Sequence, residues 1–96
     1  MVIGVLQVEL LIDGPESLKD KRRVVSSLKD RLHREHQVSV AEVDAQDDMT
    51  TAVLGITMAS TSVPHAQGVL DGVLNKLRDG RGWSLGDHCA QVITGT

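Results

Sequence analysis

Basic side chains gather in one stretch of this 96-residue chain. Residues 17–36 hold seven Lys and Arg against three acids, a net charge of +4, whereas the rest holds three against ten, a net of −7. Polyanions respond to a local field rather than to total charge, and forked or mobile cations on one face suit phosphate groups. We therefore predict a nucleic-acid-binding surface made by five cations: Lys19, Arg22, Arg23, Lys29 and Arg34.

A plainer alternative is a solvated helix face that has no partner, because charged faces are normal on helices. The difference in net charge between this segment and the remainder favours binding. The predicted strands contain no aromatic side chain on which bases can stack, so RNA recognition through the sheet is not expected. Contacts through the helix would reach phosphates and would be weakly sequence-specific.

Carboxylates crowd a second segment, which holds Glu42, Asp44, Asp47 and Asp48. Oxygen ligands suit hard cations such as Mg²⁺, and we expect Glu42 and Asp44 to share one strand face because they are two residues apart. Turn formation by the loop aspartates and pairing of the strand acids with the basic helix are the alternatives. We predict no metal site, and a metal-assisted enzyme using Glu42, Asp44 and Asp47 is the least favoured hypothesis.

No arrangement of nucleophiles indicates an enzyme. His33 and His36 are three residues apart on a predicted helix, but the sequence places no third ligand beside them. His88 and Cys89 are neighbours on a predicted strand, so their side chains point to opposite faces. The sequence has no nucleophile elbow, phosphate-binding loop or dinucleotide fingerprint. We predict no catalytic residues and no cofactor.

Hydrophobic patterning predicts four strands. Val2–Ile12 and Thr51–Ala59 are apolar on both faces, which is typical of central strands. Val38–Ala45 alternates between apolar and polar residues and predicts a half-exposed strand, with a hairpin loop after it. His88–Thr94 predicts the last strand.

Two helices are predicted between these strands. The first begins after Ser17 and buries Leu18, Val25, Leu28 and Leu32; the second begins after Ser62 and buries Ala66, Leu70, Val73 and Leu77. Ser17 with Asp20 matches a capping box. Lys21 points close to the first apolar stripe, so its stem packs there and its ammonium reaches an acid on the sheet, with three candidates: Glu9, Glu42 and Asp44.

The order β-α-β-β-α-β predicts an α+β fold, a ferredoxin-like two-layer sandwich formed by residues 1–96 as one domain. Its four-stranded antiparallel sheet carries both helices on one face. The other face keeps apolar residues from both central strands, and such a face on a small domain usually marks an association surface. We predict a homodimer through this open sheet face; the alternative is an ordinary sheet with some apolar residues in water.

Other features limit the location of the protein. Cys89 is the single cysteine, so the chain has no internal disulfide. A lone thiol beside a packed strand is typical of a small core residue, and we expect Cys89 to be one. Met1–Ile12 carries no basic leader, and no segment reaches the roughly 18 apolar residues that cross a bilayer. We expect a cytoplasmic protein that does not bind membranes.

Three segments, SLKDKRRVVSSLKDRL, VSVAEVDAQD and TAVLGI, together resemble the YlxP-like family of small bacterial proteins of unknown function. The resemblance runs from Val2 to Ser60 and more loosely through the second helix. It implies a ferredoxin-like fold, and the family's genes often lie beside those of translation initiation factor two and ribosome-binding factor A. It assigns no catalytic role to any matched residue. Members commonly have an aromatic residue at the position of His36 and a Trp near Met49.

The leading hypothesis is therefore a non-enzymatic binding module that associates with RNA or the ribosome through its basic first helix. The alternative is a dimeric regulatory domain that binds a small ligand at the junction of two subunits.

Overall fold

The computed structural model describes residues 1–95, and these form one four-stranded antiparallel sheet covered on one face by two helices. The elements follow the predicted order: β1 Val2–Ile12, α1 Leu18–His36, β2 Ser39–Asp44, β3 Thr51–Ser60, α2 Val63–Arg78 and β4 Trp83–Thr94. The strand order is β2-β3-β1-β4, so the two doubly apolar strands are central. The ferredoxin-like arrangement is confirmed.

Both helices begin at the predicted caps. The Ser17 hydroxyl accepts a hydrogen bond from the Asp20 amide at 3.1 Å, and the Ser62 hydroxyl accepts one from the His65 amide at 3.2 Å. The carboxylate of Asp20 accepts from the amide of Glu16, one residue earlier than a standard capping box requires. These bonds satisfy amides that the first helical turn leaves without partners.

The core lies between the helices and the covered face of the sheet. Alternate residues of β1 from Val2 to Ile12 are buried there, as are those of β3 from Ala52 to Met58. The predicted stripe of α2 is buried in full, with Leu74 in addition. In α1, Leu18 is only partly buried, and Lys21 is the buried residue of the first turns.

Lys21 joins α1 to the hairpin between β2 and β3. Its side chain has no exposed surface, and its ammonium donates to the Ala45 carbonyl oxygen at 2.6 Å. The Glu42 Oε2 atom lies 2.9 Å from the same Nζ, in an ion pair whose angle departs from that of a hydrogen bond. Of the three predicted partners, Glu42 is the one that the fold supplies.

Two strands differ from the prediction, and each contains a register shift. β4 begins at Trp83, five residues before the predicted start, and its pairing with β1 shifts between Val8 and Leu10. A Cβ atom on Gly86 would lie 2.9 Å from Glu9 Oε1, so a residue without a side chain suits this bulge. The second shift, between Glu42 and Asp44, affects the acidic residues.

No helix within residues 1–95 combines the length and the apolar composition needed to cross a membrane.

We predict that substitutions of Lys21 and Glu42 change the free energy of unfolding non-additively. Glu42→Ala leaves a buried ammonium with one carbonyl partner, which costs about 3 kcal/mol or more of unfolding free energy. Lys21→Met combined with Glu42→Leu costs much less than the sum of the single changes, because no uncompensated charge remains. Urea unfolding at pH 7 measures each variant, with the exposed Glu16→Ala as the control. Additivity within about 0.5 kcal/mol would contradict this account.

Candidate nucleic-acid interface

The outer surface of α1 carries the predicted basic residues. Because Val25, Leu28 and Leu32 are buried against the sheet, residues on the opposite side of the helix must face solvent. Lys19, Arg22, Arg23 and Arg34 are exposed and Lys29 is half-buried. We call these five residues the cationic band. Lys19 and Arg34 are 15 residues apart, which corresponds to about 22 Å along a helix.

Within residues 1–95, ion pairing engages one member of the cationic band. Arg34 Nε lies 3.2 Å from Asp30 Oδ2, and both side chains are about two-thirds exposed. An exposed pair of this kind is worth little, so Arg34 can exchange Asp30 for an external anion. The other four members make no ion pair with any residue in the described range, 1–95.

The sheet has the opposite charge. Its four strands contain Glu9, Glu42, Asp44 and Asp87 and no Lys or Arg. Ser26 and Ser27 are exposed on the same side of α1 as the cationic band and add hydroxyl groups that can bond to phosphate oxygens. The helix therefore offers a polyanion both attraction and hydrogen-bond donors, whereas the sheet repels it.

Glu42 and Asp44, the candidate ligands of the least favoured hypothesis, are not brought together, and the expectation that they share a strand face is wrong. Glu42 pairs with Leu54, whose side chain is in the core, whereas Asp44 pairs with Val53 on the open face. The register shift between them adds a residue, and one extra residue moves the next side chain to the other face. Within residues 1–95, no three His, Cys, Asp or Glu side chains are placed to hold a metal ion together.

Of the two loop aspartates, Asp48 stabilises the turn through hydrogen bonds. Asp48 Oδ1 accepts hydrogen bonds from the Thr50 amide at 2.8 Å, the Thr50 hydroxyl at 3.1 Å and the Thr51 amide at 3.1 Å. The bonds from Thr50 are the main reason that the pKa of Asp48 is lowered from its ordinary value. The carboxylate thus closes the hairpin between β2 and β3 that also holds the Lys21 contact at Ala45.

The open sheet face is partly apolar, as predicted. Three of its large side chains are 42–48% exposed: Leu11, Val43 and Ile93. Ile3, Val5 and Val53 lie between them and are partly buried by their neighbours. Cys89 pairs with Gln7 on this face and is exposed, so its assignment to the core is wrong. His88 pairs with Val8, the next residue of β1. The side chains of His88 and Cys89 therefore point to opposite faces of the sheet, as predicted.

A second basic cluster was missed by the sequence prediction. Arg31, Lys76 and Arg81 surround Trp83, the only aromatic residue of the chain. These residues come from α1, α2 and the loop before β4, so no local pattern unites them. The sequence did contain one signal for this cluster. The three basic residues outside residues 17–36, which are Lys76, Arg78 and Arg81, all lie just before Trp83.

We predict that Asp48 makes the stability of the hairpin depend on pH. Its folded pKa is lowered, so the stabilising contribution is complete above the unfolded pKa of about 3.9 and disappears as the pH falls through the folded value. Asp48→Ala should therefore unfold at a lower urea concentration than the wild type at pH 7, and the gap should close in strong acid. A gap that stays constant from pH 7 to pH 2 would contradict the assignment; Asp47→Ala serves as the matched control.

Comparisons with known proteins agree with the family resemblance of the sequence motifs. The family described as "Protein of unknown function (DUF503)" matches residues 3–88. The "Uncharacterized protein YlxP" of Bacillus subtilis (strain 168) is 32% identical over 73 residues, which cover 76% of this chain and 79% of that protein. Because the match spans both helices and most of the sheet, the chain belongs to the DUF503 family, whose members include proteins similar to YlxP.

Proposed function

We propose that this protein is a non-enzymatic binding module that holds RNA phosphates with the cationic band of α1, and that the RNA belongs to the ribosome. One observation carries the proposal: four of the five band cations face outward without an ion pair inside residues 1–95. The sites are the ones predicted from sequence: Lys19, Arg22, Arg23, Lys29 and Arg34.

Charge separation supports RNA as the partner. An internal acid would have neutralised each exposed cation at little cost, but the fold keeps most of its acids on the sheet and in the loops. Binding of a polyanion releases condensed counterions, and this release makes affinity depend steeply on salt. Arg22 and Arg23 offer planar forks for phosphate oxygens, and the two Lys residues offer mobile charges.

The band also favours contacts to the RNA backbone over contacts to bases. The open face has no aromatic side chain for stacking, and the acids of the strands oppose the approach of a phosphate chain. Phosphate contacts position a protein without reading sequence. The gene neighbourhood that the family resemblance implies makes the ribosome the natural source of such RNA, and a cytoplasmic location follows as part of the proposal.

A second copy of this chain is proposed as the partner of the open sheet face. Apolar side chains lie at both ends of this face, but its acids, Glu9, Asp44 and Asp87, lie toward one end. Two copies that meet with antiparallel β1 strands and overlap at their apolar ends, around Ile3 and Ile93, leave the acidic ends outside the contact. This arrangement buries apolar surface without bringing like charges together.

Binding to ribosomal particles should be lost when the cationic band is neutralised. Four contacts to single-stranded phosphates give a slope of log K against log salt of about −3. Replacing Lys19, Arg22 and Arg23 with Gln should reduce the magnitude of the slope by about 2 and weaken binding at every salt concentration. Co-sedimentation with purified ribosomal particles between 50 and 200 mM KCl (roughly the range over which such contacts weaken) measures both effects.

The control variant has the same net charge as the variant with the three Gln replacements, but its cationic band is intact. Thr61, Gln67 and Asn75 are exposed near or on α2, and their replacement by Glu lowers the net charge by the same three units. This control should sediment nearly as the wild type does. Equal loss of binding in both variants, or binding that ignores salt, would overturn the proposal.

Self-association should depend on the open face. We expect the wild type to sediment at about twice its 10.3 kDa monomer mass, and Val5→Glu to sediment as a monomer because the added carboxylate would be buried in the apolar contact. Analytical ultracentrifugation at about 50 µM, well above typical dissociation constants of stable dimers, compares these forms with Gln67→Glu, whose added charge lies on α2. A monomeric wild type, or a dimeric Val5→Glu variant, would show that a second copy does not cover this face.

A further inference from the structure

A cavity of about 320 Å³ lies between α1, the end of α2 and the loop that leads into β4. This volume is at the small end of the range for protein sites that bind small molecules, about 300–1,000 Å³. Six residues line it: Arg31, Lys76, Asp79, Gly80, Arg81 and Trp83. None of them belongs to the cationic band, so the cavity is separate from the proposed RNA surface.

Trp83 forms a fixed wall of this cavity. The indole is 6% exposed, and its Nε1 donates to the Leu77 carbonyl oxygen at 3.0 Å at the end of α2. Gly80 packs directly on the ring, because a Cβ atom at that position would overlap the indole. The wall is therefore held by a hydrogen bond on one side and by backbone packing on another, and its position does not depend on a ligand.

Arg31 brings to this wall a positive charge that has no ion pair within residues 1–95. Its guanidinium carbon lies 5.7 Å from the centroid of the Trp83 ring, within the range of a cation–π contact. Its Nε atom is buried and has no hydrogen-bond partner, and no carboxylate in the described range forms an ion pair with it. A donor without a partner is costly, and an anion that reorients the guanidinium would reduce that cost.

The remaining charges around the cavity leave it positive. Lys76 pairs with Glu35 at 3.1 Å, and this contact is the main cause of the lowered pKa of Glu35. Arg81 is exposed and makes no ion pair within residues 1–95. Asp79 is the only carboxylate in the lining, so the three cations outnumber Glu35 and Asp79 by one.

We propose that this cavity binds a phosphate group, carried by a small phosphomonoester or free as inorganic phosphate. Arg31 and Arg81 would hold the oxygens, since a guanidinium matches the geometry of phosphate with two parallel hydrogen bonds. Trp83 would limit the size of the bound group and keep the Arg31 guanidinium in place. The proposal does not depend on RNA binding by the cationic band.

The chain contains a built-in reporter for this site. Trp83 is the only Trp, and the chain has no Tyr and no Phe, so the intrinsic fluorescence comes from the cavity wall alone. Titration with inorganic phosphate and with adenosine 5′-monophosphate, at constant ionic strength, should give a saturable change in emission. Adenosine is the matched control without phosphate and should give none. Tighter binding of the nucleotide than of phosphate would identify a phosphomonoester, and the reverse would identify the free anion.

Variants separate the cavity from the cationic band. Arg31→Gln and Arg81→Gln should each weaken binding of phosphate roughly tenfold or more, because each removes a charge-assisted contact. Arg23→Gln also removes one positive charge, but from the cationic band, and this variant should bind phosphate as the wild type does. Arg81 is exposed on a loop, so its variant keeps the test valid even if the Arg31 variant unfolds. Emission that responds equally to chloride, a phosphate series without saturation, or unchanged binding in the Arg81 variant would overturn the proposal.

Discussion

One buried lysine determines how the rest of the basic helix is used. The Lys21 ammonium is enclosed between the Ala45 carbonyl oxygen and the Glu42 carboxylate, and a buried charge must keep its partners because leaving it alone is strongly unfavourable. Together with the burial of Val25, Leu28 and Leu32, this requirement fixes the rotation of α1 on the sheet. At about 100° per residue, Lys19, Arg22 and Arg23 then point away from the core. A single internal ion pair thus separates the structural cation from those that remain free.

The order of elements, both helix caps and most of the core could be predicted from the sequence, because each depends on periodic patterns or on a residue beside its own helix. The side-chain directions around Asp44 could not, because a bulge is a property of the pairing between two strands. Gly55 shows the same dependence: a Cβ atom there would lie 2.9 Å from Val43 Cγ1, across the strand pair. The start of β4 was missed because the small and polar residues around Gly86 hide the alternation. The cluster at Trp83 was missed because three separate elements form it.

Three surfaces with different chemistry result from this arrangement. The outer side of α1 carries free cations, the open sheet face carries apolar residues and acids, and the Trp83 cavity carries a partly buried Arg31. No residue belongs to more than one of these surfaces. Under the two proposals, α1 holds a polyanion while the sheet contacts a second copy.

NMR mapping of the surface that contacts added RNA tests the central claim most directly. Uniformly ¹⁵N-labelled protein is titrated with a short single-stranded RNA at low salt, and the amide shifts are followed residue by residue. The account predicts that the shifts cluster on the outer side of α1, from Lys19 to Arg34, and fade as salt is raised. Shifts that cluster on the open face of β1 and β3 instead, or that persist unchanged at high salt, would contradict it.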